Sequence, residues 1–254
     1  MTKATRLSEL GGADLRLAIL GDVHANLDAL ETVVEATRKE KVDGYYCVGD
    51  LVGYGAQPSE CIKLIRELHC ATTAGDHDHA VLGKTPIEFF KPDAKLAVEW
   101  TRTKLTDDEL KYLGSLPFVI EKEEFAVAHG TLHTPEFFEY IQTIFDAQLS
   151  FDVLKNSMCF LGHSHVPVNF FDTMPISYTM EAKVKLQKGR RLLCNVGSVG
   201  QPRDGNPLAA WGLYDVSKRQ IEIRRIEYDI ASAARKIREA GLPRANAERL
   251  FLGR

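Results

Sequence analysis

A chain of 254 residues with 44% apolar and 26% charged residues has ample material for a real core. Its 32 basic and 35 acidic residues leave a net charge of −3, which argues against a strong nucleic-acid footprint. No apolar run approaches the roughly 20 residues of a membrane span, and the polar stretch Met1 to Asp14 lacks the apolar centre of a secretory signal, so a cytoplasmic protein without a membrane partner is expected.

In chain order, Leu15 to Leu20 is an apolar run broken only by Arg16 and predicts a strand, which stops at Gly21-Asp22-Val23-His24-Ala25-Asn26. Leu27, Leu30, Val33 and Val34 follow at helical spacing, with Asn26 placed as a cap. Tyr45 to Val48 predicts a second strand, ending in Gly49-Asp50 and two further glycines, Gly53 and Gly55. Pro58-Ser59-Glu60 opens a second helix, with Cys61, Ile62, Leu64, Ile65 and Leu68 on its apolar side. Cys70 to Ala74 reads as a third strand, ending in Gly75-Asp76-His77-Asp78-His79. Helices are expected over Pro92 to Lys104 and Thr106 to Leu113, the latter opened by a capping-box pattern at Thr106 and Glu109.

Phe125 to Ala128 predicts a fourth strand, ending in His129-Gly130. Asp146 to Lys155 reads as a helix, and Met158 to Leu161 as a fifth strand, ending in Gly162-His163-Ser164-His165. Beyond it, Arg191 to Val196, Ala210 to Val216 and Gln220 to Glu227 have β character, interrupted by a Gly-rich loop from Asn195 to Gly205. A helical segment, Ala231 to Ala240, and a short tail complete the chain. No linker or repeat divides it, so residues 1–254 read as one domain. Alternating strands and helices followed by a strand-rich half imply two packed sheets with helices outside. Five scattered cysteines without CxxC spacing read as buried free thiols.

Any one strand-end acid could cap a helix, and any one of the histidines could satisfy a buried carbonyl. Here five of the eight histidines and four carboxylates stand at strand ends that a parallel sheet would bring to one edge. Oxygen and nitrogen donors together suit Mn, Fe, Zn or Co better than Mg or Ca, and so large a set suits two ions better than one.

The ordered motifs GDVHAN, GDLVGYG, GDHD, HG and GHSH resemble those of the calcineurin-like metallophosphoesterase superfamily, from residue 15 to about residue 215. The stretches VGDLVGYGAQPSEC and NVGSVGQPRDG resemble a bacterial and archaeal branch of small phosphoesterases. The resemblance implies an α/β fold, a four-layer α/β/β/α sandwich of two mixed sheets flanked by helices. It implies two divalent metal ions, one held by Asp22, His24 and His165, the other by Asp76, His129 and His163, with Asp50 bridging them. A metal-bridging hydroxide would attack a phosphate ester, His77 would act as general acid, and Asp78 would orient His77. Asn26 either touches the phosphate or only caps its helix, and Arg203 in the QPRDG loop is a candidate phosphate contact. His69, His79 and His133 match no ligand of the family and read as surface or structural.

Asp76 departs from the pattern, because the family usually has Asn there. The change removes an amide donor and adds a negative charge, which implies tighter metal holding and a weaker pull on an anionic substrate. Protein phosphatases of the superfamily carry arginines beside these motifs; the corresponding neighbourhoods here carry none. The expected substrate is therefore a small phosphate ester, a phosphodiester or nucleotide-type ester, rather than a phosphoprotein. A non-catalytic scaffold, like the retromer subunit of this fold, would be expected to lose key histidines, and all five are kept. A DNA-repair-type nuclease would want a DNA-binding extension and a basic face, which length and charge do not supply.

Overall fold

The computed structural model describes residues 15–254. Two six-stranded sheets face each other. The first is ordered β3 (Ala71–Thr72), β2 (Gly44–Cys47), β1 (Arg16–Leu20), β11 (Ala209–Asp215), β12 (Gln220–Ile226) and β9 (Lys183–Lys185). The second is ordered β4 (Val119–Glu121), β5 (Phe125–Ala128), β6 (Met158–Leu161), β10 (Leu192–Asn195), β7 (Val168–Phe171) and β8 (Ser177–Thr179). Strands β1, β2 and β3 run parallel, as do β5, β6 and β10; the outer pairings are antiparallel.

Burial on both faces explains why these strands read as unbroken apolar runs. In β1, Leu17 and Ile19 enter the core between the sheets, while Ala18 and Leu20 meet the helices outside. In β5, Phe125 and Val127 point inward, and Ala126 and Ala128 lie under α6 (Ile144–Val153). Helices α1 (Leu27–Lys39) and α2 (Pro58–Glu67) cover the outer face of the first sheet. The layers are α/β/β/α, as expected. Helices α4 (Pro92–Arg102), α7 (Ile230–Glu239) and α8 (Arg244–Leu252) form a satellite cluster through Ala97, Ala233, Ala234, Ile237, Ala247 and Leu250. All five cysteines are free and buried. Among the described residues, no helix is long and apolar enough to cross a membrane.

Several elements differ from the sequence expectation. The Gly75-to-His79 segment is no loop: its acids open a short helix, α3 (Asp76–Val81), because Asp78 at the third position accepts from the Gly75 amide. α6 begins two residues before Asp146, since Thr143 caps it and Asp146 closes the capping box. The tail forms α8, held by its apolar face rather than by any local signal. Strands β4, β7, β8 and β9 are three or four residues long, too short for a periodicity to show. α5 (Asp107–Gly114) carries the expected capping box. The acidic and histidine loops also come from two facing sheets, not from one edge.

Phe160 is fully buried between the sheets, with its ring 5.4 Å from Phe125 and 5.2 Å from Tyr214. Phe160→Ala is expected to cost about 3–5 kcal/mol of stability, read as a lower denaturant midpoint in equilibrium unfolding.

Candidate metal centre

The loops that follow β1, β2 and β3 meet those that follow β5, β6 and β10 at the carboxyl ends of the parallel strands. The turns are tight. Asp22, His24, Asp50, His163 and His165 all have positive φ, from 44° to 67°, a conformation that non-glycine residues adopt at a cost and that clusters at functional sites. Backbone bonds lock one loop to another: the His24 amide donates to the Asp50 carbonyl at 2.9 Å, and the Val199 amide donates to the Gly21 carbonyl at 2.7 Å. Two of the carboxylates also take an amide from a distant loop, Asp22 Oδ1 from His163 at 2.9 Å and Asp50 Oδ1 from His77 at 3.0 Å. Gly75 is required by this approach, because a Cβ there would lie 2.1 Å from Asp50 Oδ1.

The result is two buried groups. Asp22, His24, Asp50 and His165 form one; Asp50, Asp76, His129 and His163 form the other; within each, one candidate ligand atom per residue lies within 4.8 Å of the rest. In the first, His24 Nε2 lies 3.0 Å from His165 Nε2 and 3.4 Å from Asp50 Oδ2, and His165 Nε2 lies 3.5 Å from Asp22 Oδ1. In the second, His129 Nε2 lies 3.0 Å from His163 Nδ1 and 3.5 Å from Asp50 Oδ2, and Asp76 Oδ1 lies 3.1 Å from both histidines.

These contacts test whether a cation fits. His24 Nδ1–H donates to Val52 O at 3.0 Å, and His165 Nδ1–H donates to Gln201 O at 2.5 Å. Their Nε2 atoms therefore face one another as lone pairs, which repel unless a cation or proton lies between them. His129 is oriented in the same way, its Nδ1–H donating to Val48 O at 2.9 Å. Carbonyls that fix the tautomer of an imidazole are the usual outer support of a metal ligand. Asp22 Oδ2 is buried and has no hydrogen-bond partner. Four imidazoles and three carboxylates suit a transition-metal ion, and the residues fit the group the motifs imply.

The titration behaviour carries the same demand for positive charge. Burial pushes Asp22 up to about 6, and burial together with the Asp76 charge pushes Asp50 well above the carboxylate range. Burial would raise Asp76 too, but His163 and the hydrogen bonds from His129 and His163 hold it well below. Burial opposes charge on His129, yet Asp50 and Asp76 raise it to about 10. Burial holds His24, His163 and His165 below the ordinary imidazole value.

His77 lies at the edge of both groups, its ring 4.9 Å from His24, 4.5 Å from Tyr54 and 5.1 Å from Phe90. Burial lowers its imidazole to about 4. Asp78 does not reach it. Both Asp78 oxygens are taken by backbone amides, Oδ1 by Leu51 at 2.9 Å and Val52 at 3.3 Å, Oδ2 by Gly75 at 3.1 Å. His77 Nδ1 has no hydrogen-bond partner. The expected pairing is thus corrected: Asp78 braces the loop that carries Asp50. Asn26 does cap α1: its Oδ1 accepts from Ala29, and its amide donates to Gly200 O and to the Tyr228 hydroxyl. Arg203 does line the open cleft above the two groups. His69 is exposed, His133 lies 3.4 Å from Glu139, and His79 is buried against Phe118 and Phe138.

Three contributors were not legible beforehand. Tyr140 stacks on His163 with ring centroids 3.8 Å apart. The Gly-rich loop braces the centre, through the Gln201 carbonyl on His165 and the Ser198 hydroxyl donating to Asp22 O at 2.7 Å; its unusual length was the signal. Arg249 and Arg254 enter the cleft from the C-terminal end of the chain.

The sequence model of the calcineurin-like phosphoesterase superfamily domain matches residues 15–219, and the chain belongs to that superfamily. It is 38% identical over 243 residues to an uncharacterised protein of Methanocaldococcus jannaschii, covering 94% of this chain and 98% of that one. The crystal structure of a metallophosphoesterase from Sphaerobacter thermophilus superposes with a TM-score of 0.85 at 35% identity, covering 95% of this chain and all (100%) of that one. A shorter match, 27% identical over 117 residues, covers 44% of this chain and 42% of a symmetrical bis(5'-nucleosyl)-tetraphosphatase of Haemophilus influenzae.

The bracing role of Asp78 has a direct test. Asp78→Ala strands three amides, each worth about 1–3 kcal/mol when buried and unpaired, and is expected to be markedly less stable in equilibrium unfolding than His77→Ala. Equal stability of the two variants would return Asp78 to a role through His77.

Proposed function

We propose that the chain is a dinuclear metal-dependent phosphoesterase acting on a phosphodiester or small nucleotide-type phosphate ester. The observation that carries this reading is Asp50, which belongs to both groups and whose Oδ2 stands 3.4 Å from His24 Nε2 and 3.5 Å from His129 Nε2. Asp22, His24 and His165 would complete one ion's ligands, and Asp76, His129 and His163 the other's. Two divalent cations would bring water toward hydroxide near neutral pH and offset charge on the phosphoryl oxygens. Mn, Fe, Zn and Co all suit this donor set.

The protein's own contribution is position. His77 lines the cleft floor, and an anionic phosphoryl group bound beside it would offset the burial that disfavours its protonated form, so that it could donate to the oxygen that leaves as the P–O bond breaks. Arg203 stands beside His165, its backbone amide donating to the His165 carbonyl at 3.3 Å, within reach of a bound phosphoryl group. Phe89 and Phe137 also line this cleft and are 93% and 70% exposed, which supports an aromatic group such as a base on the ester. The partial similarity to a nucleosyl-tetraphosphatase supports the same direction. Five free buried thiols support residence in the reducing cytoplasm. A metal-binding scaffold is the second reading, favoured only by Asp76.

Metal analysis with turnover of bis-p-nitrophenyl phosphate in Mn, Zn or Mg tests the reading. Turnover is expected to require metal, and His77→Ala to keep its metal while losing about 10²–10⁴-fold in kcat. Asp50→Ala is expected to lose both ions, and His165→Ala only one. Full occupancy at both sites in Asp50→Ala would overturn the shared-ligand arrangement, and a metal-loaded protein inert toward every ester would favour the scaffold. Asp76→Asn restores the family's amide and removes one negative charge. It is expected to turn over faster than the parent protein, and an unchanged or slower rate would sink the charge argument.

A further inference from the structure

We infer that helix α8, which lies outside the matched family domain, supplies a second anion subsite beside the metal centre, and that the substrate is an ester of a diphosphate or longer phosphate chain. The inference rests on the phosphoesterase reading above and extends it.

The cleft has a volume of about 420 Å³, with Asp50, Asp76, His77, His163 and His165 on its floor. That is more room than one phosphoryl group needs. Arg203, Arg249 and Arg254 line it as well. The Arg203 and Arg249 guanidiniums share one aromatic ring, lying 5.4 Å and 5.9 Å from the Tyr54 centroid. The same ring packs edge-on against His24 at 4.8 Å. Two cations are thus gathered about one ring that also touches a candidate ligand of the centre.

Neither cation is held in an ion pair. Among the described residues, no carboxylate lies within 4.0 Å of Arg203, Arg249 or Arg254, whereas Arg66, Arg191 and Arg225 are paired with Asp108, Asp172 and Asp204. The Arg203 guanidinium donates to the neutral Gln201 Oε1, at 2.9 and 3.3 Å. Arg203 feels Asp22 through space, but neither guanidinium has a carboxylate in direct contact, so an anionic ligand placed between them would gain from both. Planar guanidinium forks are the side chains best matched to phosphate oxygens.

The helix that brings Arg249 is firmly seated. Ala247 and Leu250 bury its apolar face against α4 and α7. Its C-cap, Gly253, has φ +61° and sits where a Cβ would lie 2.6 Å from the Asn206 backbone. The Gly205 amide donates to the Gly253 carbonyl at 2.9 Å. The Gly-rich loop therefore has two partners: it braces His165 and Asp22 on one side and anchors α8 on the other. Arg203, on that loop, stands between the metal centre and α8. A phosphate chain running from the centre past Arg203 to Arg249 follows this line.

The test uses AMP and ADP, with one and two phosphoryl groups, in saturating free Mn so that chelation does not differ between arms. Each is measured as a competitor of bis-p-nitrophenyl phosphate hydrolysis and, separately, by calorimetric binding to the metal-loaded protein. ADP is expected to bind at least tenfold more tightly than AMP. Arg249→Ala is expected to remove most of that ratio, as is Arg249→Gln, which keeps the aliphatic stem over Tyr54 if α8 loosens in the alanine variant. Arg244→Ala, on the same helix and ion-paired with Glu248 3.7 Å away, is expected to leave the ratio unchanged. Equal affinity for AMP and ADP would overturn the subsite, as would an Arg249 variant that weakens both to the same extent. A protein that binds ADP tenfold better than AMP but hydrolyses no ester would overturn the esterase reading and leave the subsite standing.

Discussion

Two pairs of imidazole nitrogens face one another across 3.0 Å in the interior of this protein. In three of the four rings the other nitrogen already donates to a backbone carbonyl. Lone pairs, together with three carboxylates, are thus concentrated at the largely buried floor of the cleft. A buried cluster of this kind is unfavourable without positive charge. Much of the surrounding architecture makes sense as a means of holding it: left-handed turns at five of the candidate ligands, amide bonds from one loop to the carboxylate of another, and an Asp78 spent wholly on bracing.

The fold makes that concentration possible by duplication. Each sheet contributes three parallel strands whose carboxyl ends point the same way, and the facing of the two sheets brings six loops together. In a single open sheet the ligand crevice lies where strand order reverses; here the crevice lies between two sheets. The apolar cost of bringing them face to face is met by Leu17, Ile19, Phe125, Phe160 and Tyr214, which close the space beneath the site. Stability and chemistry are separated by a few residues along each strand: β1 is core through Leu20 and becomes site at Asp22.

Much of the fold was legible because its signals are local. Alternation was absent in the central strands, as it should be where both faces are buried, and the caps at Asn26 and Thr106 formed as their side chains indicate. The misreadings share one cause. β4, β7, β8 and β9 are too short to carry a period. α8 is held by contacts with α4 and α7 that no local pattern announces. The run from Asp76 to His79 looked like a loop because Asp76 and His77 face the candidate metal groups, Asp78 the loop after β2 and His79 two phenylalanines, none of them bulk solvent.

The sequence by itself determined the inventory: which side chains stand at strand ends, their order, and the match to the superfamily's motifs. Those are properties of neighbours along the chain, set by strand and turn chemistry. Only the tertiary structure decided partnership. It placed Asp50 between both groups and gave Asp78 to the Leu51, Val52 and Gly75 amides instead of His77. It turned Asn26 toward Gly200 and Tyr228, and carried Arg249 back to a centre that begins at Asp22. Such pairings depend on distances between segments up to 202 residues apart in the chain. Packing of two sheets and a docked helix sets those distances, and no local preference encodes them.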